Sequence, residues 1–171
     1  MGKIVGIVLV LGGIAGVLYQ WIEIQKERQK RVEEFVVFIH KLIFAMETEK
    51  VKLIDYFTNY ESQDMELSKT LKEVAARLRK NMYPSGQSVW EAILKEEEKN
   101  WDLNKDMFEV ILKCGTGFFG RSRDENISFL KKQLEEIKGL QMSVRDKDTK
   151  ERKVWIPVSM LGGVMVVILF L

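Results

Sequence analysis

The last eighteen residues, Val154 to Leu171 (VWIPVSMLGGVMVVILFL), carry no charge. As a helix rising about 1.5 Å per residue, such a run reaches roughly 27 Å, close to the ~30 Å hydrocarbon thickness of a bilayer. A helix in a soluble core rarely lacks a polar face for five turns, so the run predicts a membrane anchor, and its C-terminal place separates it from a removable leader. A second apolar run, Ile4 to Ile22, has Tyr19 and Trp21 at its inner boundary, where amphipathic rings prefer to sit. No small-residue cleavage pattern follows it, so it is expected to persist as a second span. Gly2, Gly6, Gly12 and Gly16 supply G-x-x-x-G spacings, and Ser159 with Gly163 repeats the small-residue spacing in the other run, which predicts that the two spans pack together.

Between the runs the composition inverts. Of the 27 Lys and Arg, 26 lie from Glu23 to Lys153 together with all 25 Asp and Glu, so this middle belongs in water and has room for one core. A balance of 26 cations against 25 anions excludes a general nucleic-acid binder, which needs surplus cations to displace phosphate counterions. The single cysteine, Cys114, excludes an internal disulfide framework. Orientation follows from Lys26, Arg28, Lys30 and Arg31 beside the first run and Lys147, Lys150, Arg152 and Lys153 beside the second. With Lys3 alone on the far side, the middle is expected to be cytoplasmic; the same cations can attract anionic membrane lipid. The domain division is thus 1–22 span, 23–153 cytoplasmic bundle and 154–171 span.

The middle reads as helix throughout. From Glu23 to Glu47 there is no Gly or Pro, and Val32, Phe35, Val36, Ile39, Leu42, Ile43 and Met46 recur at steps of three and four. That pattern predicts one helix continuing unbroken from the first span. His40 lies beside this stripe with no second His and no nearby Cys, which makes it a boundary residue and not a metal ligand. Thr48 is expected to cap a short helix from Val51 to Tyr60, and Ser62 or Asp64 to open a third carrying Leu67, Leu71, Val74, Ala75, Leu78 and Met82. Lys69, Lys72, Arg77 and Arg79 lie off that stripe and read as a solvated face. After Pro84-Ser85-Gly86, the run Ser88-Val89-Trp90-Glu91 has capping-box spacing and predicts a helix from Val89, with Trp90, Ile93, Leu94 and Trp101 on its buried side and Glu96, Glu97 and Glu98 in solvent.

Asp102 or Asn104 should begin a fifth helix with Met107, Phe108, Ile111 and Leu112 inward. Gly115, Gly117 and Gly120, with Phe118 and Phe119 between them, predict a tight turn. A phosphate loop would require a strand before the glycines and Gly-Lys-Ser/Thr after them, and this chain has neither. Asp124 or Ser122 is expected to cap a last helix with Ile127, Leu130, Leu134, Ile137 and Val144 along one seam and Gln141 within it, running directly into the second span, where Pro157 can kink it. The fold class is therefore all-α, an antiparallel bundle of about six helices between two transmembrane helices. One His and one Cys supply neither a catalytic triad nor a metal set, so no catalytic, metal or cofactor residues are assigned and no small-molecule substrate is expected. The turn ending in Gly120, Arg121, Arg123 and Asp124 is the candidate partner-binding site, because it presents cations between two otherwise regular helices.

Two terminal spans, the amphipathic first helix after a basic flank, the central Trp90, LKCGTGFFGRSRDE at 112–125 and the LGG-plus-aliphatic tail resemble, in order and spacing over essentially the whole chain, the stage III sporulation protein AB family. That family is similar to the cytoplasmic domain of type II secretion and type IV pilus inner-membrane platform proteins. The resemblance implies a non-catalytic subunit of the mother-cell complex that joins mother cell and forespore. It also implies other subunits of the stage III complex as partners, including a cytoplasmic secretion-type ATPase. Near the glycines the chain departs from the family pattern: where the family commonly carries an Asp and, a turn later, a Gln, Arg123 and Ile127 stand here, with Asp124 shifted by one. The alternatives are a platform protein of another secretion or pilus system, which normally has two homologous bundles where this chain has no internal repeat, and a membrane-tethered signalling adaptor. For the latter, the seam from Ile127 to Val144 is short for an autonomous coiled coil.

Overall fold

Apolar residues at helical spacing form seven helices among the described residues. A computed structural model describes residues 2–49, 52–80, 83–120 and 122–170, without the side chains of 1–11, 14–15, 147–156, 159–160, 163–164 and 166–170. The helices are α1 Gly2–Thr48, α2 Leu53–Asn59, α3 Met65–Arg79, α4 Gly86–Glu96, α5 Glu98–Trp101, α6 Lys105–Phe118 and α7 Arg123–Phe170, and there is no strand among the described residues. The first and last helices are unbroken, as the absence of Gly and Pro from Glu23 to Glu47 predicts for that part of α1 and as α7 manages even with Pro157 inside it.

The chain forms two compact units, one of Met1–Glu27 with Met142–Leu171 and one of Arg28–Gln141. In the first, most side chains of the two apolar runs lie outside the described residues, and among the described ones no helix is long and apolar enough to cross a membrane. A Cβ built on Gly12 or Gly16 would meet nothing within 4 Å. Gly2, Gly6, Ser159 and Gly163 fall outside the described side chains.

The second unit is built on aromatic rings. Phe35 and Phe38 of α1, Phe57 of α2, Trp90 of α4, Trp101 of α5 and Phe118 of α6 are fully or almost fully buried. Phe118 stands edge-on to Trp90 with centroids 4.9 Å apart and to Phe57 at 5.5 Å, while Phe35 contacts both tryptophans at 6.4 and 6.0 Å. Edge-to-face pairing adds about 0.5–1.5 kcal/mol per pair beyond the area removed from water. The indole of Trp90 is also satisfied, its N–H donating to the carbonyls of Ile111 and Leu112, each at 3.2 Å. α7 adds Ile127, Leu130, Leu134 and Ile137 from one face, as its spacing predicts, together with a buried Gln133.

Several boundaries differ from the sequence reading. α4 starts at Gly86, not Val89, because its cap is Ser85: Ser85 Oγ accepts from the Ser88 amide at 3.1 Å and Ser88 Oγ accepts from the Ser85 amide at 3.2 Å. Two hydroxyls thus fill the roles expected of Ser88 and Glu91, and Glu91 accepts instead from Gln87. Thr48 does not cap α2; its hydroxyl donates to the Phe44 carbonyl and closes α1, while α2 starts after Lys52 with no side-chain cap. Asp64 and Asn104, by contrast, cap α3 and α6 as anticipated, accepting from Leu67 and Met107 at 2.8 Å each. Trp101 is buried but not on α4: the chain breaks at Glu97 and re-forms as the single turn α5, and the indole N–H of Trp101 donates to Thr70.

The largest correction concerns the glycines. Gly115 and Gly117 lie inside α6, and no described glycine has positive φ, so they make no turn. A Cβ on Gly115 would lie 2.5 Å from Cδ1 of Trp90 and one on Gly117 2.7 Å from Cδ2 of Leu130. The missing side chains let α4 and α7 seat against α6. Nor is the α3 face simply solvated: Arg77 binds Glu73 at 2.8 Å, Glu96 at 2.6 Å and the Tyr83 hydroxyl at 3.0 Å, and Lys69 binds Glu97 at 3.1 Å. The hydrogen bond from Arg77 holds the Glu96 carboxyl below its ordinary range. Leu78 is half-buried against the core, and Met82 falls outside the described residues.

Trp90→Ala is expected to cost about 3–5 kcal/mol, since it removes a fully buried ring and its hydrogen bonds. Urea unfolding of the purified protein measures it; an unchanged midpoint would show that the ring carries no core packing.

Candidate functional site

The stretch that joins α6 to α7 is shaped by one side chain folding back. α6 ends at Phe118, Ser122 opens α7 by accepting from the Glu125 amide at 3.2 Å, and Asn126, buried one turn into α7, turns toward Gly120. A Cβ on Gly120 would come within 2.0 Å of Asn126 Oδ1 and 3.0 Å of the Thr116 carbonyl. A side chain at 120 would therefore require the Asn126 carboxamide to move. Of the two caps expected for α7, Ser122 is the one used, while Asp124 lies in the first helical turn, where its charge complements the helix dipole.

Of the four residues assigned to the site, Gly120, Arg123 and Asp124 are exposed and Arg121 lies outside the described residues. The structure brings Arg123 and Asp124 together with Glu47, Ile127, Ser128 and Lys131 around an open depression. Lys131 Nζ pairs with Glu47 Oε1 at 2.7 Å, which ties α7 to the end of α1. Local sequence carries no signal for that pair, whose members are 84 residues apart. The depression offers both signs of charge over the buried Ile127 side chain. Such a surface suits a protein contact better than a small molecule, which needs an enclosed apolar pocket with convergent polar groups.

A second open groove runs between α1 and α2, lined in part by Lys41, Lys52, Tyr56 and Tyr60. Lys41 Nζ stands 5.5 Å from the centre of the Tyr60 ring, and burial, followed by the Glu34 charge, pushes the Tyr60 phenol up to about 12. That phenol stays protonated near neutral pH. Cys114 is buried in α6, its thiol directed at the Val110 carbonyl, and burial pushes its pKa up, which removes the thiolate a nucleophile would need. His40 is exposed on α1, and no group of His, Cys, Asp and Glu among the described residues is arranged to hold a metal ion.

A family model, that of stage III sporulation protein AB, matches residues 3–171. The chain belongs to the stage III sporulation protein AB family. A solved structure of a stage III sporulation protein AB superposes with a TM-score of 0.62 at 17% sequence identity, over 72% of this chain and 97% of that one, so the two share the fold. No curated protein matches the chain. The family match takes in both apolar runs and the bundle between them, and it agrees with the resemblance carried by the order and spacing of the motifs.

Gly120→Ala is expected to destabilise the second unit by about 1–3 kcal/mol, because the added methyl displaces the Asn126 carboxamide. Thermal melting tests this, and a melting temperature equal to that of the parent would show that Asn126 moves aside without cost.

Proposed function

We propose that this protein is a membrane-anchored, non-catalytic adaptor of a sporulation complex. It holds its helical bundle in the cytoplasm of the mother cell, at the membrane around the forespore, and engages a cytoplasmic secretion-type ATPase together with other stage III subunits. The observation that carries the reading is the family match over residues 3–171, which makes the chain a sporulation protein. The uncharged runs 4–22 and 154–171 support two spans, and the eight cations on their inner flanks against Lys3 support a cytoplasmic bundle. The surface around Arg123, Asp124 and Lys131, with Arg121 beside it in sequence, supports a protein contact at the α6–α7 connection.

Topology is tested by single-cysteine labelling in a Cys114→Ser background, which retains a small polar atom near the Val110 carbonyl. A cysteine placed at Asn59, exposed in α2, is expected to resist an impermeant maleimide in intact cells; labelling there would reverse the orientation. For the adaptor role, Arg121→Glu with Arg123→Glu is expected to reduce ATPase recovery from solubilised membranes and the count of mature spores. Its melting temperature is expected to stay near the parent's, since Arg123 is exposed and surface charges usually alter stability by under ~0.5 kcal/mol. Full recovery of the ATPase would move the contact elsewhere, and loss of stability together with recovery would assign these arginines to the fold.

A further inference from the structure

Two arginines counted among the membrane-flanking cations do structural work in the second unit. Arg28 grips the Asp102 carboxylate with two hydrogen bonds of 2.8 Å, from Nε and from Nη2. One helical turn on, Arg31 donates to Asp64 at 3.1 Å and to the carbonyls of Asn100 and Trp101 at 2.8 and 2.6 Å. The second grip is sheltered, with the Arg31 and Asp64 side chains 13% and 10% exposed; the first is open, at 38% and 49%. Both close on α5, a single turn bounded by the break at Glu97 and by Asp102 in the left-handed region (φ 46°, ψ 44°). No other described non-glycine residue has positive φ. A left-handed aspartate is disfavoured by its own Cβ, so the conformation persists where its surroundings hold it.

A one-turn helix has too few internal hydrogen bonds to stand by itself. Its two C-terminal carbonyls, which have no acceptor role within so short a helix, are satisfied from α1 by Arg31. We propose that the corner from Glu98 to Asn104 is a salt-sensitive latch on α1: Arg31 and the buried Trp101 ring are its fixed pins and the exposed Arg28–Asp102 pair its releasable catch, so that the backbone around Asp102 loosens locally while Trp101 stays seated and α3, α4 and α6 stay folded. The difference in exposure sets the division of labour, since an open ion pair is screened by added salt and a sheltered one much less.

Hydrogen exchange on the purified full-length protein tests this. At low ionic strength, Arg28→Gln and Asp102→Asn are each expected to speed exchange at the amides of Asn100, Trp101 and Asp102 by roughly fivefold, with α3 and α4 amides and the melting temperature unchanged. Asparagine tolerates the left-handed conformation, so the second variant removes the charge without refolding the corner. Raising salt should speed exchange at the same amides in the parent and have little further effect in either variant. Unchanged exchange in both variants, a rise spread evenly over the bundle, or a salt response that persists in Asp102→Asn would each overturn the latch.

Discussion

The second unit depends on the meeting of Trp90 and Phe118 over the bare backbone of Gly115. The rings stand at 88° with centroids 4.9 Å apart, and the space for the indole exists because α6 has no side chain at the point where Cδ1 passes. From that crossing the other aromatics follow outward: Phe35 and Phe38 fix α1, Phe57 fixes α2, and Trp101 joins through Phe35. Large rings bury much surface with few rotatable bonds, which lets a bundle of short helices offset the chain entropy it gives up.

The sequence was most legible where one residue decides one contact in its own neighbourhood. Asp64 and Asn104 cap the helices that follow them, and the apolar stripes of α1, α3 and α7 face the core, since spacing alone selects the buried side. It was least legible where the partner is remote. The glycines of α6 read as a turn by local propensity, yet their neighbours are Trp90 and Leu130, on other helices. Tertiary packing overrode the preference of glycine for helix ends. The same applies to the candidate site: the exposure of Arg123 and Asp124 could be anticipated, but Glu47 and Lys131 beside them could not. In the case of Ser85 against Ser88, the competing signal was local too, and a reciprocal pair of hydroxyls prevailed over the Ser-Glu spacing.

Arg28 and Arg31 show why charge near an apolar run supports two readings at once. Their number and position beside an apolar run are the pattern on which the proposed cytoplasmic placement rests. Their hydrogen bonds to Asp102, Asp64 and the end of α5 belong to the folded unit. The two readings do not compete, because one rests on charge beside an apolar run and the other on contacts inside the folded unit. Lys26 and Lys30, exposed on the same helix, are better placed to test the proposed topology alone.

The fit of Trp90 against Gly115 also bears on how such a chain can drift. A larger residue at 115 is admissible only beside a smaller one at 90, so each position sets what the other can accept, and change must pass through a compensated pair or through a weakened intermediate. The fold shared with a solved structure at 17% identity shows that the architecture does not depend on most individual residues. In a core of such pairs, change is constrained by a set of mutual volumes, with the letters at each position free to vary in concert.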